Sequence, residues 1–277
     1  MTLLRSELTK LLVQKRTYVG WIGLVTIPLL MVVALNFASP APRGGDAAAN
    51  TAGAANSFFS LAADNGLLVP LAAIAVLTSF LLPLVASMAG GFQLAGEAES
   101  GTIKTWLVHP VSRGGVVLSK WAVAVAYLLA GLVLVAATCY AVGVALFGAH
   151  DPALLSGGTV SIAHGLWLTL LAYLYVGLGM IVVISLAVLF STFTDSSLTA
   201  TIGTLVLVIV MQIVGSLSYF DFLQPCLFTS HLDAWQNLFQ GSIDWWPIGK
   251  GLLAFGAYIV VSTVAACCAF QRSDVLV

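Results

Sequence analysis

Charge is what this sequence has least of. Asp, Glu, Lys and Arg make up 8% of its residues against 60% hydrophobic, too little to cover the surface of a soluble domain of this length, so a polytopic membrane protein is expected. A net charge of −1 provides no basic field for nucleic acid. The four cysteines, Cys139, Cys226, Cys267 and Cys268, lack metal or redox spacing, and three fall in apolar runs where the thiol serves as a small hydrophobe. No segment reads Gly-x-x-x-x-Gly-Lys-Ser/Thr, and Gly249-Lys250-Gly251 lacks the hydroxyl residue. Gly-x-Ser-x-Gly and His-Glu-x-x-His are absent as well, so neither nucleotide binding by that loop nor those hydrolytic chemistries are expected on this chain.

What is present is length without charge. A helix rises about 1.5 Å per residue and the hydrocarbon core is about 30 Å thick, so roughly 20 apolar residues make a span. Six stretches qualify: 17–38, 67–90, 121–147, 166–190, 198–217 and 248–270. Five contain no Asp, Glu, Lys or Arg, and the sixth has only Lys250 near its start, from where it can snorkel to the headgroups. Backbone groups in lipid must be satisfied within the segment, which makes the expected fold all-α, a single domain of six transmembrane helices over 1–277. The first run exceeds the roughly 7–15 residues of a secretory signal core, so it is read as a retained span although Ala38-Ser-Pro-Ala resembles a cleavage region.

Basic residues set the orientation. Arg5, Lys10, Lys15, Arg16, Lys104, Arg113, Lys120 and Arg272 fall on one side, and Arg43 and Lys250 on the other; the positive-inside bias therefore places both termini and the loop 91–120 in the cytoplasm. Residues 1–16 add a pattern of their own, because Leu3, Leu4, Leu8, Leu11 and Leu12 recur at helical spacing between charged positions. This predicts an amphipathic helix in the cytoplasmic interface, serving either as a simple basic anchor or also as a partner surface.

The loop between the second and third spans is the most specific segment. Pro110 disfavours helix at His109, while Ile103, Trp106 and Leu107 fall at i, i+3 and i+4. Glu97 and Glu99 are expected at the N-terminal end of this short helix, where the dipole favours negative charge, and Gly101 marks a break or a close approach. A solvated connector is the alternative. The order Glu97, Glu99, Gly101, Thr102, Trp106, Leu107, Pro110, Ser112, Arg113 and Lys120 resembles the corresponding loop in membrane subunits of ABC-2-type ATP-binding cassette transporters, as does the basic amphipathic start followed by six spans. The resemblance implies an exporter permease in the plasma (inner) membrane, paired with a second copy or a homologous permease and driven by two ATPase subunits that bind ATP and Mg. It further implies that Glu97, Glu99, Gly101, Thr102, Trp106, Leu107, Pro110 and Arg113 form the ATPase-coupling surface, with no cofactor and no catalytic residue on this chain.

Two other classes fit less well. An ion-coupled carrier commonly places ionisable groups at depth, and the centres of all six spans have none; Pro28 and Pro83 are read as kinks rather than as an interrupted binding site. An intramembrane enzyme would have to assemble His109, His150, His164 or His231 with Asp151, Asp221, Asp233 or Asp244, but His109 is assigned to the opposite side from the other histidines. Residues 39–66 read as a loose outer loop rich in Gly, Pro and Ala. Within the other outer segment, 218–247, the spacing of Leu232, Trp235, Leu238 and Phe239 predicts a short interfacial or re-entrant helix, with Trp245 and Trp246 suited to the aromatic belt.

Overall fold

The computed structural model describes residues 15–37, 58, 61–62, 65–99, 113–152, 158–220, 222–240 and 244–272. Among these the fold is all-helical: α1 (Lys15–Phe37), α2 (Val69–Ser79) entered through a 3₁₀ turn at Gly66–Leu68, α3 (Leu81–Glu99), α4 (Arg113–Phe147), α5 (Ile162–Ser191), α6 (Ser197–Ser216) and α7 (Trp245–Arg272). A 3₁₀ helix, Phe228–Phe239, lies between α6 and α7. Among the described residues four helices are long and apolar enough to cross a membrane, and the α2–α3 pair makes a fifth candidate if counted as one bent span. The amphipathic segment expected over 1–16 lies outside the described residues except for its last two, which open α1.

α5 is the centre. Its sequence is apolar all round, and its most hydrophobic window is 78% buried, against 22% in α6 and 17% in α7. It packs against α3, α4, α6, α7 and the 3₁₀ helix, whereas α1 rests chiefly on α4. Trp21 stacks on Tyr127 in that outlying contact, with centroids 5.5 Å apart and planes inclined by 10°.

The stretch 67–90, expected as one span kinked at Pro83, is broken at Phe80, where α2 and α3 diverge by 61°. Pro83 explains the position. It has no N–H to offer the carbonyl of Ser79 four residues earlier, and its ring would clash there in a continuous helix; in the first turn of a new helix it is tolerated. Phe80 takes φ −146°, ψ −48°, outside the helical region.

The segment 91–120, expected as a loop, carries helix at both ends. α3 continues to Glu99 and α4 begins at Arg113, leaving 100–112 outside the described residues. At 35 residues, α4 is about 52 Å long, well beyond a hydrocarbon core of about 30 Å.

At the opposite end, Asn65 binds the 3₁₀ turn to the terminus of α4. Its Oδ1 accepts from Leu67 N–H at 3.1 Å, and its Nδ2 donates to the carbonyl of His150 at 2.8 Å. Gly148 closes α4 with φ +73°, the left-handed conformation favoured by glycine. This end is also capped by the 3₁₀ helix, whose residues Thr229, Leu232, Trp235 and Leu238 are all buried. Phe228 and Phe239 are buried with them, giving the helix a broad apolar face. Rather than lying free in an interface, the segment presses that face onto the bundle: Trp235 stacks on Phe58 at 5.2 Å, and Phe239 meets Phe58 edge-on at 5.8 Å.

Candidate coupling site at the charged ends of the helices

The charged end of the bundle brings together the last turns of α3 and α5 with the first turns of α4 and α6. Glu97 and Glu99 sit at the C-terminal end of α3, not at the N-terminal end of a following helix as the sequence suggested. Carboxylates at the packed end of a bundle need compensation from opposite charges or donors.

Each finds it on a different helix. Glu97 Oε1 lies 2.7 Å from Lys120 Nζ on α4, and Lys120 is 2% exposed against 18% for Glu97. An ammonium removed from water to that degree requires a paired charge. Glu99 Oε2 accepts from Ser197 Oγ at 2.6 Å and from the Ser197 backbone N–H at 3.3 Å. That N–H opens α6, where the helix dipole favours an anion and donors lack intrahelical partners. α3 therefore ends with one carboxylate tied to α4 and the other to α6.

A third tie comes from α5. Ser191 is buried, and its hydroxyl bonds the α3 backbone at Gly91, Leu94 and Ala95. Such approach depends on the absence of side chains at the crossing. A Cβ on Gly90 would lie 2.6 Å from Ala187 Cβ and 2.7 Å from the Ile184 carbonyl; one on Gly91 would lie 2.6 Å from Thr201 Oγ1. Small residues let membrane helices pack by direct backbone contact in this way.

Of the residues singled out in the sequence, Glu97 and Glu99 are thus brought into one cluster. Arg113 is the first residue of α4, and Gly101, Thr102, Trp106, Leu107 and Pro110 lie outside the described residues. In the sequence Lys120 stands out as a motif position and a marker of orientation, whereas nothing there marks Ser191 or Ser197. Lys120 carried a legible signal, a lone basic residue opening a long apolar run. His150, His164 and His231 all belong to the opposite end, and no group of three His, Cys, Asp or Glu among the described residues is placed to hold a metal ion.

A family described as "ABC-2 family transporter protein" matches residues 1–275. The probable ABC transporter permease protein NosY of Stutzerimonas stutzeri is 37% identical over 76 residues, a stretch that covers 27% of this chain and 27% of that protein.

Proposed function

The chain belongs to the ABC-2 family of transporter proteins and is a transporter permease subunit, and on that premise we propose that it is the membrane half of an ATP-driven exporter. In this reading α1 is the first of six crossings, with α2 and α3 together forming the second, and the charged end faces the cytoplasm. Two permeases, identical or homologous, sit above a pair of ATPase subunits that hold ATP and Mg. The segment 100–112, with Gly101, Thr102, Trp106, Leu107 and Pro110, docks on the ATPase beside Arg113. The carrying observation is the pair of carboxylates ending α3. Because Glu97 holds α4 and Glu99 holds α6, a displacement of the docked segment acts on the ends of all these helices together. The distribution of Lys and Arg supports the orientation, and outward transport follows the family resemblance.

The interface is tested with Trp106→Ala and Gly101→Leu in the purified complex. Each should insert normally but weaken ATPase binding; loss of one apolar anchor costs about 2 kcal/mol, roughly 30-fold in affinity. Wild-type affinity in both would leave the segment a mere connector. In vesicles holding the permease and its co-purifying ATPase, transport should stop with a hydrolysis-deficient ATPase. Transport by this chain alone that collapses with a proton uncoupler would instead indicate an ion-coupled carrier.

Orientation has its own test. With the four native cysteines replaced, cysteines at Arg43 and His150 should react with an impermeant thiol reagent in intact cells, and those at Thr102, Asp195 and Ser273 only after lysis. Reaction of Thr102 from outside would reverse the topology and remove the coupling role.

A further inference from the structure

Ser191 joins α5 to α3 through the latter's own hydrogen-bond ladder. Its Oγ accepts from the backbone N–H of Ala95 at 2.7 Å and of Leu94 at 3.2 Å, and donates to the carbonyl of Gly91 at 3.0 Å. Gly91 C=O and Ala95 N–H are the two halves of one i→i−4 rung, so a side chain from another helix engages both partners of that rung. Insertion of a side chain into the ladder is one of the few identifiable causes of local helix bending. Four other buried hydroxyls of the bundle donate within their own helices. Thr78, Thr169, Ser185 and Thr204 each donate to the carbonyl four residues earlier in their own helix, the ordinary habit of Ser and Thr in apolar helices.

Position adds to the chemistry. The engaged rung lies between Glu99, where α3 is bound to α6 and leads into 100–112, and the Gly90–Gly91 crossing, where α3 meets α5 and α6 without intervening side chains. A displacement entering α3 at Glu99 crosses this rung before it reaches the Gly90–Gly91 crossing. We propose that Ser191 is a positioning residue for coupling: by holding the Gly91–Ala95 rung, its hydroxyl makes a joint at which the last turns of α3 bend against α5 in each transport cycle. The inference rests on the coupling role proposed for this end of the bundle.

The test is hydrogen exchange, read by mass spectrometry over residues 88–99, on the full chain with its co-purifying ATPase in nanodiscs. Nucleotide-free complex is compared with complex trapped by ATP and vanadate, for wild type, Ser191→Ala, Ser191→Cys and Thr204→Ala. Trapping should change exchange at Leu94 and Ala95 in wild type. Ser191→Ala removes the acceptor from both amides and should speed their exchange by about tenfold without nucleotide, the effect of roughly one net hydrogen bond on local opening, and abolish the response to trapping. Ser191→Cys preserves the approximate size of the side chain but bonds weakly, and should follow Ser191→Ala. Thr204→Ala loses only a bond within its own helix and should respond as wild type. If Ser191→Ala and Ser191→Cys respond to trapping as wild type does, the joint is overturned while the coupling role stands. If wild-type residues 88–99 and 113–120 show no response to trapping, the coupling role and the joint fall together.

Discussion

Replacement of Glu97 by Gln is expected to lower the melting temperature of the purified chain more than replacement of Lys120 by Met. The two partners are buried unequally, 18% and 2% exposed, so the substitutions leave different charges behind. Without its carboxylate, the pair leaves an ammonium almost wholly withdrawn from water; without its ammonium, it leaves a carboxylate that solvent still reaches. Breaking a buried pair by removing one member costs about 3–5 kcal/mol, because the other charge remains desolvated. The double variant Glu97→Leu with Lys120→Met removes both charges and should recover most of that loss, since well-packed apolar replacements of a buried pair are often neutral. Its transport should nevertheless stay low, because α3 would no longer hold α4 at the end where the ATPase acts. A double variant that melts as low as Glu97→Gln would mean that the pair's charge does not set stability. One that melts and transports as wild type would remove the tie from the mechanism.

The sequence made the spans legible because hydropathy alone fixes them, and α5, α6 and α7 extend each expected stretch by at most a few residues. The ends of 121–147 and 67–90 were harder to read. Apolar length alone stops these stretches at Gly90 and Trp121, yet α3 runs on to Glu99 and α4 starts at Arg113, with Glu97 and Lys120 paired between them. The break at Phe80 was written in Pro83, which was read as a kink within one span rather than as the first turn of a second helix. In the cap, Leu232, Trp235, Leu238 and Phe239 are visible as an apolar series, but their spacing serves an α-helix as well as the 3₁₀ coil that packs on the bundle, so the coil type is not legible. Ser191 was not legible at all. A serine ending an apolar run ordinarily returns its proton to its own helix, and only the three-dimensional crossing at Gly90 and Gly91 lets it reach another.

Gly90→Ala is expected to be among the most damaging single-methyl changes in the apolar part of the chain. The added Cβ would stand 2.6 Å from Ala187 Cβ, 2.7 Å from the Ile184 carbonyl and 3.3 Å from the Val188 nitrogen; the last two are backbone atoms and cannot rotate away. α3 and α5 would have to separate, at a cost of about 1–3 kcal/mol for overpacking, offset by less than about 1 kcal/mol from the better helix propensity of alanine. Separation also withdraws Ser191 from the Gly91–Ala95 rung one turn away, so coupling should fall along with stability. Gly23, in α1, is the control. Nothing lies within 4 Å of a Cβ built there, and Gly23→Ala should leave the melting temperature unchanged or raise it. Ala187→Gly, combined with Gly90→Ala, removes the side-chain clash but not the one with the Ile184 carbonyl, so it should restore only part of the loss. Thermal melting in nanodiscs of these three variants and wild type checks the order. Equal melting of Gly90→Ala and Gly23→Ala would show that the α3–α5 crossing is not held at backbone contact, and the route from the charged end through α3 would lose its rigid support.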